Sequence, residues 1–321
     1  MILKRIIKKI IKVSTGCTIL YKTNWYKSLF VDLNHEIYPD NNWYRKHDER
    51  NFDIINLGSS SAKWAFDYSD TNVKGMNWAQ QPQTLLEDFN LLRHYHSILR
   101  KGGYVIITIM PFTSLNKDTN VFDAIKYLKI DTQGEPIQPH KIKEAQKYAE
   151  YPILLKKSGV KALIKYLLGR DFNINQSVNQ LEYNPMTTEE LEKDALNWVN
   201  NWKKQFEIVD FDAPLTIKNK EGRNYRIKLM RELIDFSIER GYNPIYVIPP
   251  VTKYLSQYYT SKFEEAYIYS FLHEIDRDIP ILDYSKDESL MNDGLYFNSF
   301  FLNKQGSKLF TNRVLKDIKL I

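Results

Sequence analysis

The chain has 321 residues, of which 43% are hydrophobic, 26% charged and 14% aromatic, and it contains a single cysteine, Cys17. This composition is typical of a soluble globular protein and excludes the collagen-like, disordered and disulfide-stapled classes. Basic side chains exceed acidic ones by six, but residues 1–31 alone hold seven basic side chains and no acidic one. The remaining chain is nearly neutral, which argues against a nucleic-acid-binding surface.

Other classes of protein and site are also excluded by the sequence. No group of cysteines and histidines has the spacing of a zinc site, so we expect neither a metal nor a cofactor. No segment approaches the roughly 18 continuous apolar residues that a membrane span needs. An apolar segment followed by a small-residue cleavage site is also missing, so the expected compartment is the cytoplasm.

The first 13 residues, MILKRIIKKIIKV, predict a basic amphipathic helix. Leu3, Ile6, Ile7 and Ile10 fall on one face of this helix. The basic side chains on the other face are Lys4, Arg5, Lys8, Lys9 and Lys12. Such a helix suits contact with an anionic membrane, here the inner face of the cell membrane. Docking on the body of the same chain and docking on a partner protein are the alternatives.

Strands and helices alternate from residue 52 onward. The predicted strands are 52–58, 73–79, 104–110, 244–251 and 279–284. The predicted helices are 83–103, 226–243, 262–275 and 303–320. Apolar runs ended by glycine or proline, alternating with helical periodicity, predict an α/β fold with a parallel sheet in a three-layer arrangement.

The spacing of the strands predicts a long insertion. Between strands 104–110 and 244–251 lie 133 residues, whereas a strand–helix–strand unit needs roughly 30. The predicted organisation is therefore an N-terminal segment, a core in two pieces and a helical insertion, with bounds 1–48, 49–112 plus 221–321, and 113–220. An insertion at the carboxyl end of a central strand lies where α/β sheets bind ligands, so we interpret it as a lid; a buttressing role is the alternative.

Two loops carry the candidate chemistry. Gly58-Ser59-Ser60 follows the first strong strand, and YFNSFFLNKQGSKLFTNRVL (296–315) precedes and begins the last helix. In a parallel sheet both loops lie at the carboxyl edge. A serine at such a strand end points into the crevice, and backbone N–H groups of the turn can form an oxyanion hole.

These segments resemble the SGNH (GDSL-like) hydrolase superfamily, most closely its G-S-S members that are associated with cell-envelope polysaccharides. The matching pieces are Gly58-Ser59-Ser60, the segment MNWAQQPQTLLEDFNLLRHY, Met110-Pro111-Phe112, and the terminal Leu302-Asn303-x-x-Gly306-x-x-x-Phe310-Thr311. The resemblance covers roughly residues 50–112 and 225–321.

The resemblance implies a serine nucleophile assisted by a histidine and an aspartate. By position Ser60 matches the nucleophile, while Asn298 stands at the aspartate position and Phe301 at the histidine position. Phenylalanine cannot accept a proton, and asparagine cannot stabilise an imidazolium as a carboxylate does. The residues that match oxyanion or binding positions are Gly58, Ser59, Asn77 and Asn303.

Substitutes for the missing pair are few. His273 and His140 are the candidate bases within the chain, a partner chain is another source, and Asp283 or Asp293 could supply the carboxylate. His94 and His96, on the predicted helix 83–103, are interpreted as structural, and His35 and His47 lie outside the predicted core. Aromatic side chains that could stack on sugar rings or fill the core are Trp64, Trp78, Tyr254, Tyr258, Tyr259, Tyr296, Phe297, Phe300 and Phe301.

Two functions follow from the resemblance. The favoured one is an SGNH-like protein without the standard catalytic pair, a pseudoenzyme that binds a cell-envelope glycan or a protein partner at the membrane surface. The alternative is an active serine esterase or O-acyltransferase on envelope glycans, which uses Ser60 and a non-standard base. Loss of a triad member removes several orders of magnitude in rate, which is why the chemistry favours the first.

Overall fold

A sheet of five parallel strands forms the centre of the computed structural model, within the part of the chain that it describes. In chain order the strands are β1 (Phe52–Leu57), β2 (Gly75–Asn77), β3 (Leu99–Thr108), β4 (Asn243–Ile248) and β5 (Ile281–Asp283). Their order across the sheet is β2-β1-β3-β4-β5, and every neighbouring pair is parallel. The predicted α/β class is therefore confirmed. The described residues are 2–14, 16–29, 49–80, 83–115, 125, 139–171 and 186–321.

Thirteen α-helices accompany the sheet in these residues. They are α1 (Ile2–Ser14), α2 (Cys17–Leu20), α3 (Asn24–Ser28), α4 (Ser60–Ala65), α5 (Leu85–Tyr95), α6 (Pro139–Glu150), α7 (Lys157–Leu167), α8 (Thr188–Phe206), α9 (Ile217–Glu239), α10 (Lys253–Ser256), α11 (Ser261–Glu264), α12 (Ser270–Ile275) and α13 (Lys304–Asp317). A π-helical stretch, Glu265–Tyr269, joins α11 to α12. The predicted helix 262–275 is therefore present as two α-helical segments joined by a π-helical one.

The predicted helix 83–103 is wrong at its C-terminal end. Helix α5 ends at Tyr95, and β3 already begins at Leu99. Gly102, with φ of 72°, lies in an irregular stretch of the strand: Phe52 pairs with Leu99, but Ile54 pairs with Tyr104. Gly102 thus lies where the strand register shifts, with a positive φ that glycine adopts readily, and the Gly-Gly pair does not end a helix.

One face of the sheet is covered by α13. Ile54 and Ile106, on the central strands, share a buried cluster with Phe310 and Val314 of this helix. These strand positions lie two residues apart in register, as expected for side chains on one face. Helix α4 also packs against α13, so the first and last helices of the core stand together.

Helices α5, α9 and α12 form a second packed group. The ring of Phe89 on α5 lies 5.8 Å from that of Phe236 on α9. Arg223 of α9 donates to Glu274 of α12 at 2.8 Å and to the backbone oxygen of Ala266 at 3.0 Å. This group joins the helices before β3, β4 and β5.

The chain divides into two compact units, each defined by the contacts among its own residues. The helical unit comprises Met1–Glu36 and Thr119–Asn179, and the sheet unit comprises Ile37–Asp118 and Gln180–Ile321. The predicted insertion 113–220 is therefore divided: α6 and α7 belong with the N-terminal helices, whereas α8 belongs with the sheet. None of the described helices is long and apolar enough to cross a membrane.

Candidate functional site

The turn after β1 requires glycine. Gly58 has a φ of 136°, and a Cβ atom at this position would lie 2.7 Å from the Cβ of Ala62. The chain therefore turns sharply from the strand into α4. Ser59 precedes this helix and Ser60 begins it, and both are half-buried.

The polar groups of this turn form hydrogen bonds with residues around the start of α5. The N–H of Gly58 donates to Oδ1 of Asp88 at 2.8 Å, and Oγ of Ser59 accepts from the N–H of Gln83 at 3.1 Å. The side chain of Gln83 donates to the same Asp88 oxygen at 2.6 Å. Sequence reasoning missed Asp88 and Gln83. The available signal was the sequence Thr-x-x-Glu at Thr84, which forms the capping box that fixes the first turn of α5.

Asn77 lies fully buried at the end of β2. Its Oδ1 accepts from Nδ2 of Asn56 at 2.8 Å and from the N–H of Ala79 at 3.0 Å. Its Nδ2 donates to the backbone oxygens of Phe66 at 2.9 Å and Lys63 at 3.1 Å. Both amide hydrogens are therefore used to hold the end of α4 against β2.

The two positions that the predicted resemblance aligns with a catalytic aspartate and histidine lie in the loop before α13. Oδ1 of Asn298 accepts from the N–H of Phe300 at 2.9 Å and of Phe301 at 2.7 Å, so this side chain closes its own turn. Phe301 is 7% exposed, with its ring centroid 4.7 Å from that of Phe300 and 5.5 Å from that of Trp198. A turn-forming amide and a packed ring thus occupy these positions.

Asn303 caps the last helix. Its Oδ1 accepts from the N–H of Gly306 at 2.9 Å, and its Nδ2 donates to the backbone oxygen of Gly294 at 2.7 Å. Gly306 packs so closely that a Cβ atom there would lie 2.1 Å from the backbone oxygen of Leu295. The Asn-x-x-Gly sequence thus forms an N-cap and a close backbone approach.

Helix α8 holds the loop before α13 in place. Oδ2 of Asp194 accepts from the N–H of Ser299 at 2.9 Å and from its hydroxyl at 2.5 Å. Trp198, one turn later, lies with its ring centroid 5.0 Å from that of Phe300. Sequence reasoning predicted a helical insertion over 113–220 but missed these two residues, because their partners are about a hundred positions away.

The loop before α13 and the serine turn lie together. Phe297 contacts Trp64 with ring centroids 5.0 Å apart. Trp64 is on α4 four residues after Ser60, so the two share one side of that helix. The structure therefore brings the Ser60 turn, the Asn298 loop and α8 to one region of the sheet's carboxyl edge.

The described histidines are at the other edge. Helix α5 runs back toward the start of β3, so His94 and His96 near its end lie at the amino edge, and His273 on α12 precedes β5 in the same way. Nδ1 of His96 lies 3.0 Å from the hydroxyl of Tyr242, and burial, with a smaller effect of Arg240, lowers the pKa of His96. His35, His47 and the side chain of His140 lie outside the described residues.

The two candidate carboxylates each pair with a tyrosine. The hydroxyl of Tyr254 donates to Asp293 at 2.8 Å, and the hydroxyl of Tyr269 donates to Asp283. Burial first, and then this hydrogen bond to Asp283, raises the pKa of Tyr269. Both pairs belong to the β4–β5 side of the sheet. Among the described residues no group of three or more His, Cys, Asp or Glu side chains could hold a metal ion.

The predicted aromatic residues separate into two groups by exposure. The buried ones, which fill the core, are Trp64, Trp78, Tyr254, Tyr259, Tyr296 and Phe301. Tyr258, Phe297 and Phe300 are half-buried, as is Trp198. Because part of each of these rings is open to solvent, this second group holds the candidates for ligand contact.

The predicted N-terminal helix is present as α1, and none of its described residues is buried. On its basic side, Nζ of Lys8 lies 3.2 Å and Nζ of Lys12 lies 3.8 Å from a carboxylate oxygen of Glu150 at the end of α6. On its apolar side, Leu3 is 70% exposed and Ile10 61%. The polar side of α1 thus faces its own unit, and the apolar side is left open. Lys4, Arg5 and Lys9 are exposed.

Comparison with protein-family models and with curated proteins finds no match to this chain.

Proposed function

We propose that this chain is a catalytically silent relative of the SGNH hydrolases, with a three-layer α/β core, that binds a cell-envelope glycan at the carboxyl edge of its sheet. The order and spacing of the Gly58-Ser59-Ser60 and Leu302-Asn303-x-x-Gly306 segments support the relationship. The strand order supports the position of the site, because β1 and β3 are neighbours although β2 separates them in sequence. Ligands of doubly wound sheets bind at such a switch point.

The observation that supports a lack of catalytic activity is that Asn298 and Phe301 both have structural roles in the fold. Asn298 closes a turn and Phe301 packs against Trp198, so neither can assist a nucleophile at Ser60. The four predicted oxyanion or binding residues also hold the fold together: Asn77 clamps α4, Asn303 caps α13, and Gly58 and Ser59 bond to the start of α5. A serine hydroxyl without a base is a poor nucleophile near neutral pH.

The proposed lack of catalytic activity is tested by measuring hydrolysis of an activated acetyl ester. Wild-type protein and Ser60→Ala at equal concentration should give the same background rate. The double variant Asn298→Asp with Phe301→His should then gain hydrolysis that a further Ser60→Ala change removes. Turnover by wild type that depends on Ser60 would contradict the silent function and establish that another group acts as base.

Glycan binding is assigned to the half-exposed rings beside the Ser60 turn. Trp198 on α8 and Phe300 in the loop before α13 are half-buried and contact each other, and the exposed parts of aromatic rings can pack on the apolar faces of sugars. On an array of cell-envelope oligosaccharides, Trp198→Ala should weaken binding roughly fivefold to tenfold. Tyr225→Ala is the matched control, since Tyr225 is 48% exposed on α9. Equal loss in both variants, or no binding by wild type, would contradict a glycan site here.

Helix α1 is proposed to place the protein on the inner, anionic face of the cell membrane. The exposed Leu3 and Ile10 side chains and the basic residues fit an in-plane helix, in which each Lys or Arg near anionic lipid contributes about 1 kcal/mol. Docking of the apolar side within the helical unit is not supported, because Leu3 and Ile10 are exposed. Removal of residues 2–13 should release the protein from vesicles that contain phosphatidylglycerol; full retention would contradict this role.

An active serine esterase or O-acyltransferase is the second candidate function. Ser60 favours it, because this half-buried hydroxyl has no hydrogen-bond partner within the described residues. The base would then come from a partner chain or from His140. The hydrolysis assay above separates the two functions.

A further inference from the structure

A second helix of the helical unit exposes an apolar stripe. On and just after α7, Val160 is 45% exposed, Ile164 53%, Leu167 64% and Leu168 63%. Their spacing of four, three and one residues places them on one side of the helix. The opposite side carries Gly159 and Ala162, which are buried in the unit. The stripe is therefore not the side by which α7 packs.

Lysines run beside this stripe. Lys157, Lys161 and Lys165 are spaced four residues apart, and all three are exposed. On a helix with 3.6 residues per turn this row lies next to the row of Val160, Ile164 and Leu168. An apolar stripe flanked by a basic row is the pattern of a helix that lies in the plane of a membrane interface.

The same unit contains α1, which has the same character. The end of α1 leads to Gly16, and a Cβ atom at Gly16 would lie 3.3 Å from Cδ2 of Leu163 on α7. The sequence of this unit, Met1–Glu36 and Thr119–Asn179, holds 17 basic and eight acidic side chains, a net charge of +9, whereas the whole chain has +6. Both exposed apolar stripes therefore belong to a strongly basic body.

We propose that α7 is a second membrane-contacting element, which binds the same anionic lipid surface as α1. This inference rests on the membrane role proposed for α1. The positive charge selects an anionic surface, and the apolar stripe supplies the buried area at the boundary of headgroups and acyl chains. Two linked elements bind more tightly than either alone, because attachment of one raises the local concentration of the other.

The test measures binding of the full chain to vesicles of phosphatidylcholine with phosphatidylglycerol. The variant Ile164→Ser with Leu168→Ser should bind roughly tenfold more weakly, since it removes two apolar side chains from the interface. Val209→Ser with Ile217→Ser is the matched control in the sheet unit, where these side chains are 91% and 79% exposed. The control should bind as wild type does.

Removal of residues 2–13, measured in parallel, separates the two proposals. If the truncated chain is released and the α7 variant binds as wild type, α7 has no membrane role while α1 keeps its own. If neither change affects binding, or if wild type does not bind anionic vesicles, both proposals are overturned. An α7 variant that binds vesicles normally but loses a complex with a partner protein would assign the stripe to that protein instead.

A spin label gives a direct measurement of insertion. Cys17 is fully buried, so a thiol-reactive nitroxide should label Ile164→Cys selectively. On binding to anionic vesicles, the label at this position should gain accessibility to oxygen and lose accessibility to a water-soluble nickel complex. A label at Val209→Cys should show neither change. Unchanged accessibility at both positions would overturn membrane contact by α7.

Discussion

The helical unit and the sheet unit use their polar and apolar residues in opposite ways. In the sheet unit, polar side chains such as Asn77 and Asp88 are buried and bond to one another or to the backbone. In the helical unit, apolar side chains such as Ile10 and Leu167 are exposed among lysines. Burial of polar groups that are fully hydrogen-bonded stabilises a particular fold, whereas exposed apolar area has a use only when something covers it.

This difference changes how candidate functional residues should be interpreted. Asn77 and Asn303 of the sheet unit have side chains that could bind a ligand, but both bond to backbone groups of the fold. The exposed residues of α1 and α7 match no catalytic motif, yet nothing in their own unit covers their apolar stripes among the described residues. Substitutions in the sheet unit should therefore change stability, and substitutions on these stripes should change binding.

The largest effect is expected at Gly306. A side chain there would meet the backbone oxygen of Leu295, which cannot move without shifting the loop before α13. Overpacking of this kind costs roughly 3 kcal/mol, more than the ~1 kcal/mol that alanine gains over glycine in a helix. Gly306→Ala should therefore lower the free energy of unfolding by about 2 kcal/mol or more in urea. Gly294→Ala is the control, because a Cβ atom there approaches only the side chain of Asn292, at 3.3 Å.

Asn77→Ala should have the next largest effect. It leaves the amide of Asn56, the N–H of Ala79 and the backbone oxygen of Phe66 without their partner in a fully buried position. Each unsatisfied buried group costs about 1–3 kcal/mol, part of which relaxation recovers, so a total near 2 kcal/mol is expected. Asn72→Ala, at an exposed position, should change the urea midpoint little. If Asn77→Ala is equally harmless, the amide is not a structural clamp.

The sequence predicted local features of the sheet unit well, because they depend on neighbouring residues. The apolar run before Gly58 indicates β1, and Asn-x-x-Gly at Asn303 indicates the start of α13. Contacts between distant segments could not be predicted in this way. The bond between Asp194 and Ser299 joins residues 105 positions apart, and a single sequence contains no periodicity that reports such a pair.

The same limit applies to the candidate site and to the helical unit. The sequence predicted from the resemblance that Asn298 and Phe301 replace a catalytic pair, which stays a prediction, but only the structure places Phe301 against Trp198. The amphipathic pattern of α1 predicted its two faces correctly. Which face contacts the unit depends on Glu150, whose position next to Lys8 no local pattern reveals.

A smaller change in stability is expected from the protonation of His96 in the sheet unit as the pH falls. Burial, and to a lesser extent Arg240, lowers the pKa of His96 below its ordinary value of 6.5, so the unfolded chain takes up this proton at a higher pH than the folded chain does. Stability should therefore be complete above pH 6.5 and decrease as the pH falls below it. His96→Gln should flatten this part of the profile. His273→Gln, at an exposed position on α12, should keep the wild-type slope.

The smallest change in stability is expected on α1, and it sharpens the comparison most. Ile6 is 49% exposed and Ile10 61%, so Ile6→Ser with Ile10→Ser removes little buried area and should change the free energy of unfolding in urea by less than about 0.5 kcal/mol. The same variant should bind anionic vesicles more weakly, since these side chains supply the area that enters the interface. A marked loss of stability would show that the apolar side of α1 packs inside the protein. The apolar side chains of α1 would then stabilise the fold, as those of the sheet unit do, and the contrast between the two units would not hold.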